Sequence, residues 1–155
     1  MINFSEPLTD LKKLEDRDYK ISEVADLLQI SPRALRYWQE NDLIIPHGSR
    51  HTSERIYKPN DIKRAQHIKE LQGLFGFSLH EIKQILQIED KISNLKQAYL
   101  KDSQDKMLKT KLGQSALREI IDLINLIDKK IDRINHYRND LNDKVNLIEG
   151  FLKNG

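Results

Sequence analysis

Ser31-Pro32-Arg33-Ala34-Leu35-Arg36-Tyr37-Trp38-Gln39-Glu40 is the stretch whose reading decides the fold. Ser31 suits an N-cap, where a hydroxyl accepts from an orphan amide of the first turn. Pro32 then falls at the first helical position, where its missing N–H is not needed. At about 100° per residue, Arg33, Arg36, Tyr37 and Glu40 gather on one face, with Ala34, Leu35 and Trp38 opposite. One side of this helix can pack while the other presents two guanidiniums and a phenol. Guanidinium forks match guanine edges and phosphates, and a tyrosine hydroxyl suits a phosphate oxygen. An ordinary surface helix could carry the same charges in solvent, so its neighbours in the chain must decide.

Upstream, Ser22 is a plausible N-cap, and Val24, Ala25, Leu27 and Leu28 follow on one helical face. Gln29 and Ile30 make a short turn. Two short helices separated by such a turn, the second one capped, have the layout of a helix-turn-helix. Downstream, Leu43-Ile44-Ile45-Pro46 precedes a polar loop from His47 to Glu54, and Arg55-Ile56-Tyr57 follows. Two β-prone runs around such a loop predict a hairpin. Arg50, His51, Arg55 and Lys58 make it basic, as a DNA-contacting wing would be. Pro59 and Asn60 then open a helix with Ile62, Ala65, Ile68 and Leu71 on one face, ending near Gly73 and Gly76. Ser78 and Glu81 form a capping box for a further helix through Leu79, Ile82, Ile85 and Ile88.

The C-terminal third reads differently. From Gln114 to Leu152 the pattern is that of one helix of about 38 residues, about 57 Å long. Ile120, Ile124, Ile127, Ile131, Ile134, Leu141, Val145, Ile148 and Leu152 recur in alternating steps of four and three, a heptad seam. Leu117 extends the seam upstream, Arg138 fills its one gap, and Tyr137 lies beside that gap. A stripe of this length exceeds what a small head can cover, which predicts a partner helix; folding back on its own head is the competing arrangement.

Composition narrows the function. There is no cysteine among the 155 residues, which excludes disulfides, thiolate metal sites and thiol switches. The histidines, His47, His51, His67, His80 and His136, lack close metal spacing, so no metal site is expected. No apolar run is long enough to cross a bilayer, and the opening MINFSEPLTDLKK has no signal core, so neither a membrane nor export is expected. Neither a nucleophile–base pair nor a phosphate-binding glycine loop is present, so no enzymatic activity is expected. A net charge of +2 says little about a polyanion partner. Its distribution says slightly more: residues 31–64 carry a local excess of three positive charges and residues 91–112 of four.

The order of these parts resembles the MerR family. The resemblance is carried by Tyr19-Lys20-Ile21-Ser22-Glu23-Val24-Ala25, by Ser31 to Trp38, and by Leu43-Ile44-x-Pro46. It continues through Arg55-Ile56-Tyr57, Asp61-Ile62 and Gly76-Phe77-Ser78-Leu79-x-Glu81-Ile82. It implies that Arg36 and Tyr37 touch DNA, with the wing against the backbone at the adjoining minor groove. Its precedent for the long helix is an antiparallel pair between subunits; the residues themselves leave the direction open. Trp38 stands where the family often has a second tyrosine, and Ser53-Glu54 where many members have Gly-Tyr. The spacing from Ile68 to Gly76 is similar to that of the heat-shock and nitrogen-control repressors, which leans toward repression.

The expectation is a mainly α protein with a winged helix-turn-helix head and a long dimerising coiled-coil helix. Residues 1–18 would be a polar tail, 19–90 the DNA-binding head, 91–112 a lysine-rich connector and 113–155 the dimerisation helix. Lys20, Ser31, Arg33, Arg36, Tyr37, Arg50, His51, Arg55, Tyr57 and Lys58 are the candidate DNA contacts. The protein would act in the cytoplasm, at the nucleoid, as a homodimer on a near-palindromic promoter site of double-stranded DNA. Neither a sensor domain after the helix nor a cofactor is expected, so its signal would come from abundance or from a regulatory protein partner. The alternative is a structural protein tethering chromosome or plasmid DNA through the coiled coil.

Overall fold

The computed structural model describes residues 14–45, 55–101 and 104–154. These form β1 (Tyr19–Lys20), α1 (Ile21–Leu28), α2 (Pro32–Glu40), β2 (Ile56–Tyr57), α3 (Pro59–Gly73), α4 (Leu79–Lys101) and α5 (Lys106–Asn154). The chain divides into two compact units, Met1–Asp90 and Lys91–Gly155. The fold is mainly helical: a helix-turn-helix head and a long C-terminal helix.

In the first unit each helix starts where local chemistry directs. Helix α1 begins two residues earlier than the Ser22 cap predicts, because Glu23 reaches back to accept from the Lys20 amide at 2.7 Å. A carboxylate at that position satisfies an orphan donor and sits well with the helix dipole. The helix ends at Gln29 in the left-handed region, φ 52°, with the Ile30 amide turned back onto the Ala25 carbonyl. Ser31 then caps α2 as its sequence predicts, its Oγ accepting from the Ala34 amide at 3.1 Å. At α4 the Ser78–Glu81 capping box is complete, with Ser78 N to Glu81 Oε2 at 2.8 Å and Glu81 N to Ser78 Oγ at 3.2 Å. Gly76 makes the preceding turn at φ +62°, a conformation that a side chain resists.

The core of this unit gathers Val24, Ala25 and Leu28 of α1, Leu35 and Trp38 of α2, and Ile62, Ala65, Ile68 and Leu71 of α3. Ile82, Ile85 and Leu86 of α4 are buried as well. Burying each large aliphatic side chain contributes about 1.5–3 kcal/mol. Two cations on α3 hold the backbone around α2. Lys69 Nζ donates to the Leu28 carbonyl at 2.8 Å, and Arg64 Nε to the Leu43 carbonyl at 2.7 Å.

The predicted hairpin differs. Ile56–Tyr57 does pair, but with β1: Tyr19 lies opposite Tyr57 and Lys20 opposite Ile56, antiparallel. Leu43 and Ile44 form no strand; both are buried in the core instead. The β-prone character of Leu43-Ile44 reflects apolarity that burial satisfies without a ladder. The loop from Pro46 to Glu54 lies outside the described residues, as does the predicted tail through Lys13.

In the second unit the lysine-rich stretch is helical through Lys101 and again from Lys106. Helix α5 starts at Lys106, eight residues before the predicted Gln114, capped by Asp105 Oδ1 accepting from Met107 N and Leu108 N at 2.9 and 3.1 Å. The end of α4 and the start of α5 run antiparallel. Lys91 meets Glu119 at 3.6 Å, and Lys109 sits 5.0 Å over the Tyr99 ring. Helix α5 has 49 residues, about 74 Å at the usual rise.

Candidate nucleic-acid interface

Position on α2 sorts its side chains as the helical period requires. Leu35 and Trp38 are buried, while Arg33, Arg36, Tyr37 and Glu40 are exposed. Among the described residues Arg33 and Arg36 form no ion pair. Tyr37 is 52% exposed, with its phenol available. Ser31 stands exposed at the N-terminal end of the same helix, and Lys20 is exposed where β1 meets α1.

Strand β2 carries the next candidates. Arg55 is half-buried and Lys58 exposed at the N-cap of α3. A cleft of about 490 Å³ lies beside them, lined by Arg17, Lys20, Glu23 and Arg55 among others. Within it the Lys20 amide, and then Arg17, hold the Glu23 carboxyl below the ordinary carboxylate range. Glu23 therefore stays ionised and pairs with Arg17 at 3.0 Å. Arg50 and His51 lie outside the described residues.

Tyr57 departs from its predicted role as a contact. It is fully buried, so its phenol cannot reach a ligand directly. Its hydroxyl instead accepts from Gln39 Nε2, while the Gln39 carbonyl oxygen accepts from Arg55 Nη1. Burial raises the Tyr57 pKa above its ordinary value, and this outweighs the nearby Arg55 and Arg36, which favour the phenolate. Sequence reasoning missed Gln39. It falls between the two faces of α2, and an uncharged amide there gives no signal of its own.

The seam of α5 is exposed along the single chain. Leu117, Ile124, Ile127, Ile131, Ile134, Leu141, Val145, Ile148 and Leu152 are all exposed, and Ile120 is half-buried. Among the described residues no helix is long and apolar enough to cross a membrane, and no cluster of acidic and histidine side chains could hold a metal.

A short capped helix that packs against α1, buries Leu35 and Trp38, and turns Arg33, Arg36 and Tyr37 outward defines a helix-turn-helix DNA-binding head. The family model for MerR HTH family regulatory proteins matches residues 19–88. The mercuric resistance operon regulatory protein of Pseudomonas fluorescens is 30% identical over 97 residues, 59% of this chain and 67% of that protein. The HTH-type transcriptional regulator YfmP of Bacillus subtilis is 25% identical over 123 residues, covering 79% and 86% of the two chains. Among solved structures, HiNmlR, a MerR family regulator lacking the sensor domain and bound to promoter DNA, is similar at a TM-score of 0.41 and 16% identity, over 75% of this chain and 80% of that one. The chain belongs to the MerR family. It is a DNA-binding transcriptional regulator.

Proposed function

We propose that two copies of this chain pair through α5 and present two recognition helices to a near-palindromic promoter site. The observation that carries this is the seam. Nine of its apolar side chains stand exposed in one chain on a 49-residue helix, at heptad spacing. Solvent does not retain such a stripe when a second copy can cover it. In this reading residues 19–90 are the head, 91–112 the connector and 113–155 the pairing element.

Arg33, Arg36 and Tyr37 read or brace the major groove. Lys20, Ser31, Arg55 and Lys58 hold phosphates, joined by Arg50 and His51 from the wing, and Tyr57 supports from within. Repression is favoured by the spacing between Ile68 and Gly76. The protein works in the cytoplasm at the nucleoid, without a cofactor, and its signal comes from its abundance or from a regulatory protein partner. Genome-wide mapping of bound sites tests the reading. Short protected sites beside one or a few promoters are expected, whereas dispersed binding along the chromosome would replace regulation with tethering.

A further inference from the structure

The amide of Gln39 is bonded at both ends. Its oxygen accepts from Arg55 Nη1 on the residue before β2, and its nitrogen donates to the Tyr57 hydroxyl on β2. Arg55 and Tyr57 are alternate residues, so one side chain of α2 fixes two successive same-side positions of the β2 segment. Gln39 is half-buried and Tyr57 fully buried, so water competes poorly for these bonds. Among the described residues no carboxylate pairs with Arg55. A carboxylate at position 39 could accept from Arg55 but would oppose the guanidinium's charge, whereas an amide fixes its direction and leaves the charge intact.

We propose that Gln39 is a positioning residue of the DNA interface: an uncharged brace that aims Arg55 at the phosphate backbone and locks the β2 segment to the recognition helix. Helix α2 and the base of the wing then meet DNA as one body. A guanidinium held in place reaches its phosphate without first being ordered, which is how preorganisation strengthens binding. The inference rests on the reading that Arg55 faces DNA, and the test separates the two.

The full-length protein is titrated with a random-sequence DNA duplex over a series of salt concentrations. Each phosphate that a side chain ceases to neutralise lowers the slope of log affinity against log salt by about one. Arg55→Ala comes first. If it leaves the slope unchanged, Arg55 does not face DNA and both the reading and the proposal fall. If Arg55→Ala lowers the slope by about one per bound head, Gln39→Ala should lower it equally, and the double variant no further. Gln39→Glu keeps the shape of the brace and guards against a folding defect in the alanine variant. It should also lower the slope, because its carboxylate cancels the charge of Arg55. A wild-type slope in either folded Gln39 variant overturns the proposal. So do additive effects in the double variant, or a fall in melting temperature and affinity at constant slope.

Discussion

Arg64 and Asp90 meet as a two-pronged pair, Nη1 to Oδ1 at 2.7 Å and Nη2 to Oδ2 at 3.0 Å, while Arg64 Nε holds the Leu43 carbonyl at 2.7 Å. One guanidinium on α3 therefore ties α4 to the backbone leaving the recognition helix. The planar fork makes this possible; a lysine would satisfy one partner at a time.

Replacing Arg64 with alanine should destabilise the head by about 1–2 kcal/mol. The lower part of the range for charged hydrogen bonds applies because Asp90 is half exposed. Asp90→Ala should destabilise it less, since the bond to Leu43 survives. Urea denaturation of the two variants checks this. Equal effects would show that the Leu43 bond contributes nothing.

Arg36→Ala should weaken binding to the mapped promoter site by about 1–3 kcal/mol if the fork reads a base edge. A phosphate contact would instead weaken all sequences alike and flatten the salt dependence by about one unit. Unchanged affinity for both promoter and random DNA would remove Arg36 from the interface.

Ile127→Asp combined with Ile131→Asp places like charges in the middle of the exposed seam. The protein should sediment as a monomer with its head still folded, because the head's own apolar faces are untouched. Its affinity for the promoter site should fall by at least about two orders of magnitude, the drop expected when binding of the second head stops being intramolecular. A double variant that remains dimeric shows the seam is misassigned. One that is monomeric yet binds as tightly as the parent breaks the two-headed mechanism.

Tyr57 sets an alkaline limit. Its folded pKa lies above the ordinary 10.0 because burial disfavours the phenolate. The fold's preference for the neutral phenol is fully present below the unfolded pKa and is lost as pH rises through the folded one. Stability should therefore decline above about pH 10, and phenolate absorbance from Tyr57 should rise only as the head unfolds. Tyr57→Phe, although less stable near neutral pH, should show a shallower alkaline decline. An unchanged decline would mean that other groups govern it.

The parts legible in the sequence are those written in nearby residues. Ser31 with Pro32, and Ser78 with Glu81, are local capping signals, and the α2 faces and the α5 seam follow from helical periods. Long-range pairing left no such trace. Two residues of β2 cannot announce that their partner is Tyr19–Lys20, and Leu43-Ile44 looks equally apolar in a strand or a core. The helices through 91–112 were hidden because their lysines dilute the apolar period, although Asp105 was a readable cap. Gln39 was invisible because its role exists only after α2 and β2 meet.

The chain's one tryptophan, Trp38, is packed 3% exposed on the inner face of the helix that carries Arg36 and Tyr37. The molecule thus holds a built-in optical reporter beneath the second helix of its helix-turn-helix. Its emission comes from a single indole, so no label or mutation is needed to follow how firmly that helix is seated. A red shift on heating, or on adding DNA, would mark the moment when the recognition helix lifts from its bed.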